Sequence, residues 1–111
     1  METTRKPIIL LCRDLLLASR VRAAAEGAGV ALVTVRDPAK VGGTEGVTLI
    51  VDCNLAGALG VVGEFRAREG ARVVGFASHA DVETIQLARA AGVERVVARS
   101  AFLADPLSYV S

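Results

Sequence analysis

Five short apolar runs punctuate the chain, and amphipathic stretches fill most of the intervals between them. Residues 7–12 (PIILLC), 30–35 (VALVTV), 47–51 (VTLIV), 72–77 (RVVGFA) and 93–98 (VERVVA) predict strands; the most continuous runs are of the kind buried on both faces of a parallel sheet. After the first, Asp14 can cap a helix whose Leu17, Val21, Ala24, Ala25 and Ala28 recur at three-to-four spacing, with Gly27 and Gly29 as its end. After the second, RDPAKVGGTEG offers Asp37-Pro38 as the start of a single turn and Gly42-Gly43 as its stop, so this crossover helix is short or missing. After the third, Leu55, Leu59, Val62 and Phe65 line one face of a helix weakened by Gly57, Gly60 and Gly63. Ser78-His79-Ala80-Asp81 carries the Ser-x-x-Asp signature of a helix start, Val82, Ile85, Ala88 and Ala91 supply an inward face, and Gly92 closes it. Asp105-Pro106 opens a last helix that can only be a stub.

Strand and helix alternating five times predict an α/β domain: a parallel sheet, right-handed crossovers and helices on both faces. No repeat, linker or low-complexity tract divides it, so 1–111 is read as one domain without an output domain.

Composition narrows the picture. The chain is 52% hydrophobic but only 4% aromatic, so its core must be assembled from Val, Leu, Ile and Ala. A formal charge of +1 gives no reason to expect nucleic acid or an anionic membrane surface. No apolar run approaches the roughly 20 residues of a membrane span. The polar opening residues 1–6 have no leader character, which points to the cytoplasm. Two cysteines, Cys12 and Cys53, fit a reducing compartment and lack metal-ligand spacing, and a single His, His79, removes most histidine-based metal and triad chemistry. Gly42-Gly43 and the Gly57, Gly60, Gly63 series do not have the spacing of a nucleotide fingerprint.

One residue disturbs this apolar scheme. Asp52 ends the third strand, and a bare charge at the end of a buried strand is costly unless a partner holds it or chemistry uses it. The residues around it, Asp52-Cys-Asn-Leu-Ala-Gly57, resemble the Asp-x-Asn-x-Pro-Gly of the receiver domains of two-component response regulators, with Ala56 where proline is usual. Gly75-Phe-Ala-Ser-His-Ala-Asp-Val-Glu83 is similar to that family's fourth strand and following helix start. Arg89-Ala-Ala-Gly-Val-Glu-Arg-Val-Val-Ala-Arg-Ser100 is similar to its helix-Ala-Gly-strand-Lys-Pro ending. The resemblance covers nearly the whole chain. It implies a flavodoxin-like, doubly wound five-stranded parallel sheet, (βα)5, with a reduced second helix and a truncated last helix.

In that family the aspartate accepts a phosphoryl group, and a divalent ion neutralises charge during the transfer. The resemblance implies that an acidic pair after the first strand and the carbonyl of the residue at Asn54 hold Mg²⁺, and that a hydroxyl and a lysine bind phosphoryl oxygens. Here Cys12 and Arg13 stand where the acid pair belongs, with Asp14 one step along, facing elsewhere or capping the helix. Ala77 stands at the hydroxyl position beside Ser78, and Arg99 replaces the lysine, keeping the charge without the compact ammonium. Asp52 alone is unaltered. The expectation is that Asp52 pairs with Arg13, Arg99 or both, which would hold its pKa down, and that no cofactor is bound. Cys12 and Cys53 end neighbouring strands, but alternation points Cys53 away from the Asp52 pocket.

The resemblance therefore implies an atypical, degenerate receiver of bacterial two-component signalling, a pseudo-receiver. It would be no enzyme and would act by protein–protein contact rather than in a phosphorelay. Its contact face would be the fourth helix, the fifth strand and a C-terminal segment with Phe102 and Tyr109, left poorly covered by the missing helix. The expected partner is a signalling protein such as a histidine kinase or output protein, or a second copy in a homodimer. Two alternatives stay open: a working receiver phosphorylated at Asp52 with Mg²⁺, and a domain binding a small anionic ligand between Arg13 and Arg99.

Overall fold

The computed structural model describes residues 6–110. The first five residues, most of the polar opening from which the missing leader was read, lie outside the described residues, as does Ser111.

Strands β1 (Ile8–Leu11), β2 (Leu32–Val35), β3 (Thr48–Asp52), β4 (Arg72–Ala77) and β5 (Arg95–Ala98) form one sheet in the order β2-β1-β3-β4-β5, every pairing parallel. The three central strands are the ones whose sequences are most continuously apolar, and they are buried on both faces. The edge strands β2 and β5 are only partly covered. Alternation along the strands splits the core in two. Ile9, Leu11, Leu49, Val51, Cys53, Val73 and Ala77 face the side covered by helices α2 (Val62–Arg66) and α3 (Val82–Ala91) and the short 3-10 helix Pro38–Gly43. Leu10, Cys12, Ile50, Val74 and Phe76 face the side covered by α1 (Leu15–Ala28), α4 (Arg99–Ala104) and the 3-10 turn Pro106–Tyr109. This is the doubly wound parallel architecture expected from the alternation.

The helices depart from the periodicity in instructive ways. Asp14 caps α1 as anticipated, and Gly29, at φ 71, ends it, but Gly27 lies inside the helix. The helix after β3 is shorter than its apolar spacing suggests: Gly57 takes φ 81, a 3-10 turn (Leu59–Val61) follows, and regular helix begins only at Val62. The helix after β4 is capped by Asp81, not Ser78, and Val82 is 60% exposed rather than inward-facing. Its cap accepts from the Thr84 N–H, which a Ser78 cap four residues before Val82 cannot reach.

The C-terminal segment differs most. α4 starts directly at the end of β5, and Phe102 inserts completely into the core, its ring stacked on Phe76 at 4.8 Å. Tyr109 follows at 6.5 Å from Phe102, and Val110 is buried. The sheet face expected to lie bare is covered, because two short helical turns replace one long helix. Among the described residues no helix is long and apolar enough to cross a membrane.

Candidate functional site

The C-terminal ends of β1, β3 and β5 converge on Asp52. Its position as the last residue of β3, in register with Phe76, directs the carboxylate to the α1/α4 side of the sheet. The residue is 7% exposed, and it is the one charged residue among the buried side chains of the described residues. Both of its oxygens are engaged. Oδ1 accepts the Asn54 N–H at 3.0 Å, and Oδ2 accepts Arg99 Nη2 at 3.3 Å.

Arg99 reaches this point because it is the first residue of α4, leaving β5 beside β4. Its guanidinium lies 5.2 Å from the Phe76 ring centroid, and its second nitrogen, Nη1, donates to Asp14 Oδ2 at 3.1 Å. Asp14 uses its other oxygen to cap α1, accepting from the Leu16 and Leu17 N–H groups at 3.0 and 3.2 Å. One planar cation thus bridges two carboxylates from different elements, a task for which its fork of donors is suited. Asp14 caps the helix as one alternative had it, but it does not face elsewhere: its second oxygen is turned to the site through Arg99.

Pairing does not hold the Asp52 pKa down. Burial raises it above the ordinary aspartate value, and this outweighs the opposing effects of the Asn54 N–H and Arg99. The physical reason is that Arg99 makes a single contact to Asp52 and is shared with Asp14, whose own negative charge pushes the same way as burial. The expectation of a depressed value is therefore overturned while the pairing itself stands.

The remaining residues singled out from the sequence scatter. Arg13 makes no ion pair among the described residues; the next residue after the buried Cys12, it is exposed and lines a separate cleft. Cys12 is buried just past the end of β1, its sulfur accepting the Asp14 N–H at 3.3 Å, and burial raises its pKa. Cys53 sits in the opposite half of the core, where burial and then the Asp52 charge push its thiol up to about 12. The two thiols lie on opposite sides of the sheet and cannot meet in a disulfide. Ala77 is also buried in the far half of the core and presents only a methyl group. Phe102 is fully buried, so it cannot serve as a contact residue, and Tyr109 is half-covered, with the Arg95 guanidinium 5.0 Å from its ring.

A second polar cluster brings together two expected pocket residues, Asn54 and Ser78, with Asp81, expected only as part of a helix start. Asn54 Nδ2 donates to Asp81 Oδ2 at 2.9 Å, and Asn54 Oδ1 accepts the Ser78 N–H at 3.1 Å. Asp81 accepts from the Thr84 N–H and hydroxyl, which lower its pKa, the hydroxyl having the larger effect. Asn54 thereby ties the loop after β3 to the loop after β4. The signal was present in Asp81-x-x-Thr84, a cap with its N3 partner, but the earlier Ser78 drew the assignment.

Magnesium, which the resemblance implies for a working receiver, wants several hard oxygen ligands in an octahedron. The donor set here does not fit it. A thiol and an exposed arginine follow β1, and both carboxylates are already joined to one guanidinium. The described residues place no group of three or more His, Cys, Asp or Glu side chains around a common point.

No family model and no curated protein matches the chain. Solved structures do match in fold. A response regulator receiver domain protein from Methanospirillum hungatei aligns with a TM-score of 0.80 at 15% identity, over 96% of this chain and 91% of its own. A response regulator from Thermotoga maritima gives 0.77 at 14%, over 96% and 95%. A phosphorylated cyanobacterial phytochrome response regulator gives 0.74 at 18%, over 96% and 89%. The chain has the flavodoxin-like fold of response regulator receiver domains, as its own sequence predicts.

Proposed function

We propose that this chain is a receiver-type signalling module that works through protein–protein contact and has exchanged metal-dependent aspartyl phosphorylation for a cation of its own. The observation that carries this reading is Arg99 donating to Asp14 and Asp52 at once. A nucleophilic carboxylate must have an oxygen free for the incoming phosphorus and a mobile counter-ion to absorb charge. Asp52 has one oxygen on a backbone N–H and the other on a guanidinium that is itself anchored to α1.

The expected contact face keeps its helix but loses Phe102. Phe102 is buried, whereas Val82 and Leu87 on α3, the helix after the fourth strand, are 60% and 56% exposed, so α3 supplies apolar contact surface. A signalling protein, or a second copy of the chain, is the occupant this reading calls for.

Amide NMR titration with Mg²⁺, followed by beryllofluoride as an aspartyl-phosphate mimic, tests the proposal. The expected result is a well-dispersed spectrum that neither addition shifts saturably at Asp52, Asn54, Ser78 or Arg99. Saturable shifts there would overturn it in favour of a receiver phosphorylated at Asp52.

A further inference from the structure

The outward displacement of Arg13 builds a second site. β1 and β2 are adjacent and parallel, with Leu11 opposite Val35 and the Cys12 N–H donating to the Val35 carbonyl at 3.0 Å. The next residues out of the sheet are Arg13 on one strand and Arg36 on the other. Both line an open cleft of about 510 Å³, together with Asp37, Pro38, Leu55 and Ala56. Its walls come from the loops after β1, β2 and β3. The strand order reverses between β1 and β3, and crevices at such points of open α/β sheets are where ligands bind.

We infer that this cleft binds a small organic phosphate, the phosphoryl group between Arg13 and Arg36 and the organic body against Pro38, Leu55 and Ala56. Neither arginine has a carboxylate partner among the described residues, in contrast to Arg66 and Arg99, which do. Two guanidinium groups without carboxylate partners on the lining of one cleft are matched by an anion. A phosphate monoester brings about −1.5 to −2 charge near neutral pH and several acceptor oxygens for two forks of donors. Asp37 is the opposing charge on the lining. It is committed to the chain, its Oδ1 accepting the Ala39 N–H at 3.0 Å as the cap of the 3-10 helix. That leaves one net positive charge on the lining, so the phosphate must bring an organic part that uses the apolar wall. The volume supports this, since it falls in the range of about 300–1,000 Å³ typical of small-molecule sites and exceeds what one phosphate ion fills.

The inference stands apart from the signalling proposal, because Arg13 and Arg36 take no part in the Asp14–Arg99–Asp52 bridge. The test is an NMR titration with phenyl phosphate and, separately, inorganic phosphate, reading the arginine Nε–Hε signals and the backbone amides. Saturable shifts at Arg13, Arg36 and residues 54–57 are expected with phenyl phosphate, weaker binding with inorganic phosphate, and still signals at Arg99. Arg13→Gln and Arg36→Gln should each weaken phenyl phosphate by about tenfold or more, the loss of one charge-assisted contact. Arg20→Gln, on the exposed side of α1, should leave it unchanged. All three side chains are exposed, and amide dispersion verifies folding of each variant. Non-saturating shifts spread over Arg20, Arg22 and Arg89, equal binding of the two phosphates, or unchanged affinity in the Gln variants would each overturn the site. Shifts confined to Arg99 and Asp52 would instead sink the signalling proposal as well as this one.

Discussion

Replacing Arg99 by Met removes the bridging charge while keeping an unbranched apolar stem against Phe76. The cost follows from the environment of each partner. The Asp52 side chain is 10% exposed and that of Arg99 is 36% exposed, so the pair lies between an exposed ion pair, worth about 0.2–1 kcal/mol, and a fully buried one, whose breakage costs about 3–5 kcal/mol. The Asp14 contact is at the exposed end of that range, because the Asp14 side chain is 44% exposed. A destabilisation of about 1.5–3 kcal/mol is expected for Arg99→Met at neutral pH, measured by urea unfolding followed by circular dichroism. Its pH dependence is diagnostic. Arg99 favours the ionised form of Asp52, so the pKa of Asp52, already raised by burial, must rise further in the variant. Because the folded-state value lies above the unfolded one, ionised Asp52 opposes folding: its contribution to stability is lost as pH rises from the ordinary aspartate value through the folded one. The deficit of the variant should therefore be fully developed above the Asp52 titration and shrink as pH falls through it. Following the Asp52 carboxyl carbon by NMR gives the pKa directly. A deficit that does not vary with pH, or an Asp52 pKa that falls in Arg99→Met, would refute the reasoning.

Phe102→Ala should cost about 3–5 kcal/mol, since the ring is fully buried against Phe76, and the same measurement on Leu16→Ala, at an 81% exposed position, should move stability by no more than about 0.5 kcal/mol. Gly75→Ala places a Cβ 2.5 Å from the Cys53 sulfur and should cost about 1–3 kcal/mol; adding Cys53→Ala should recover part of that, and strict additivity would show that the clash is elsewhere. Cys12 and Cys53 should react with a thiol reagent only at the rate of global opening, with no disulfide-linked monomer after oxidation, because both are buried with raised pKa values on opposite sides of the sheet. Asp81→Ala should lower the urea midpoint and shift the Asn54 side-chain amide signals, since it removes a helix cap and the link to the loop after β3 together; an unchanged midpoint with unmoved Asn54 signals would refute both roles.

The strands were legible because each central one carries its own evidence: an uninterrupted apolar run has few other ways to be buried. β4 falls where its residues predict, and the others differ by one or two positions at their ends. What could not be read was set by contacts between distant residues. Nothing local in Arg99-Ser-Ala-Phe-Leu-Ala104 marks a helix of six residues; it is held by Phe102 docking on Phe76, which sequence periodicity cannot register. The converse error followed β3, where Leu55, Leu59, Val62 and Phe65 have helical spacing but Gly57 breaks the backbone before the helix can start. At the site, Asp52 is legible from its place at a strand end and Arg99 from the resemblance, which puts it where a lysine is usual, whereas Arg13 lines a different cleft from the one expected. The difference is one of direction: a step of one residue past Cys12 turns a side chain from the core outward, and Arg36, the first residue beyond the adjacent strand β2, comes near it only once the β1–β2 pairing is known.

A guanidinium that holds two carboxylates at once constrains what the site can do. A bound divalent ion comes and goes with its concentration, so a carboxylate that depends on it has two states. Arg99 is covalently part of α4 and stays beside Asp52 at every ion concentration. It also joins the end of β3 to the first turn of α1 and the start of α4, so it braces the elements that would have to move if the site were to signal. A ligand shifts an equilibrium only by its differential affinity for the two states. To displace this bridge, an effector must compete with two carboxylates for one guanidinium or protonate the buried one of the pair. Under the proposed function no phosphodonor does either, and the surface offered to a partner would be a single static one; the Mg²⁺ and beryllofluoride titration decides this.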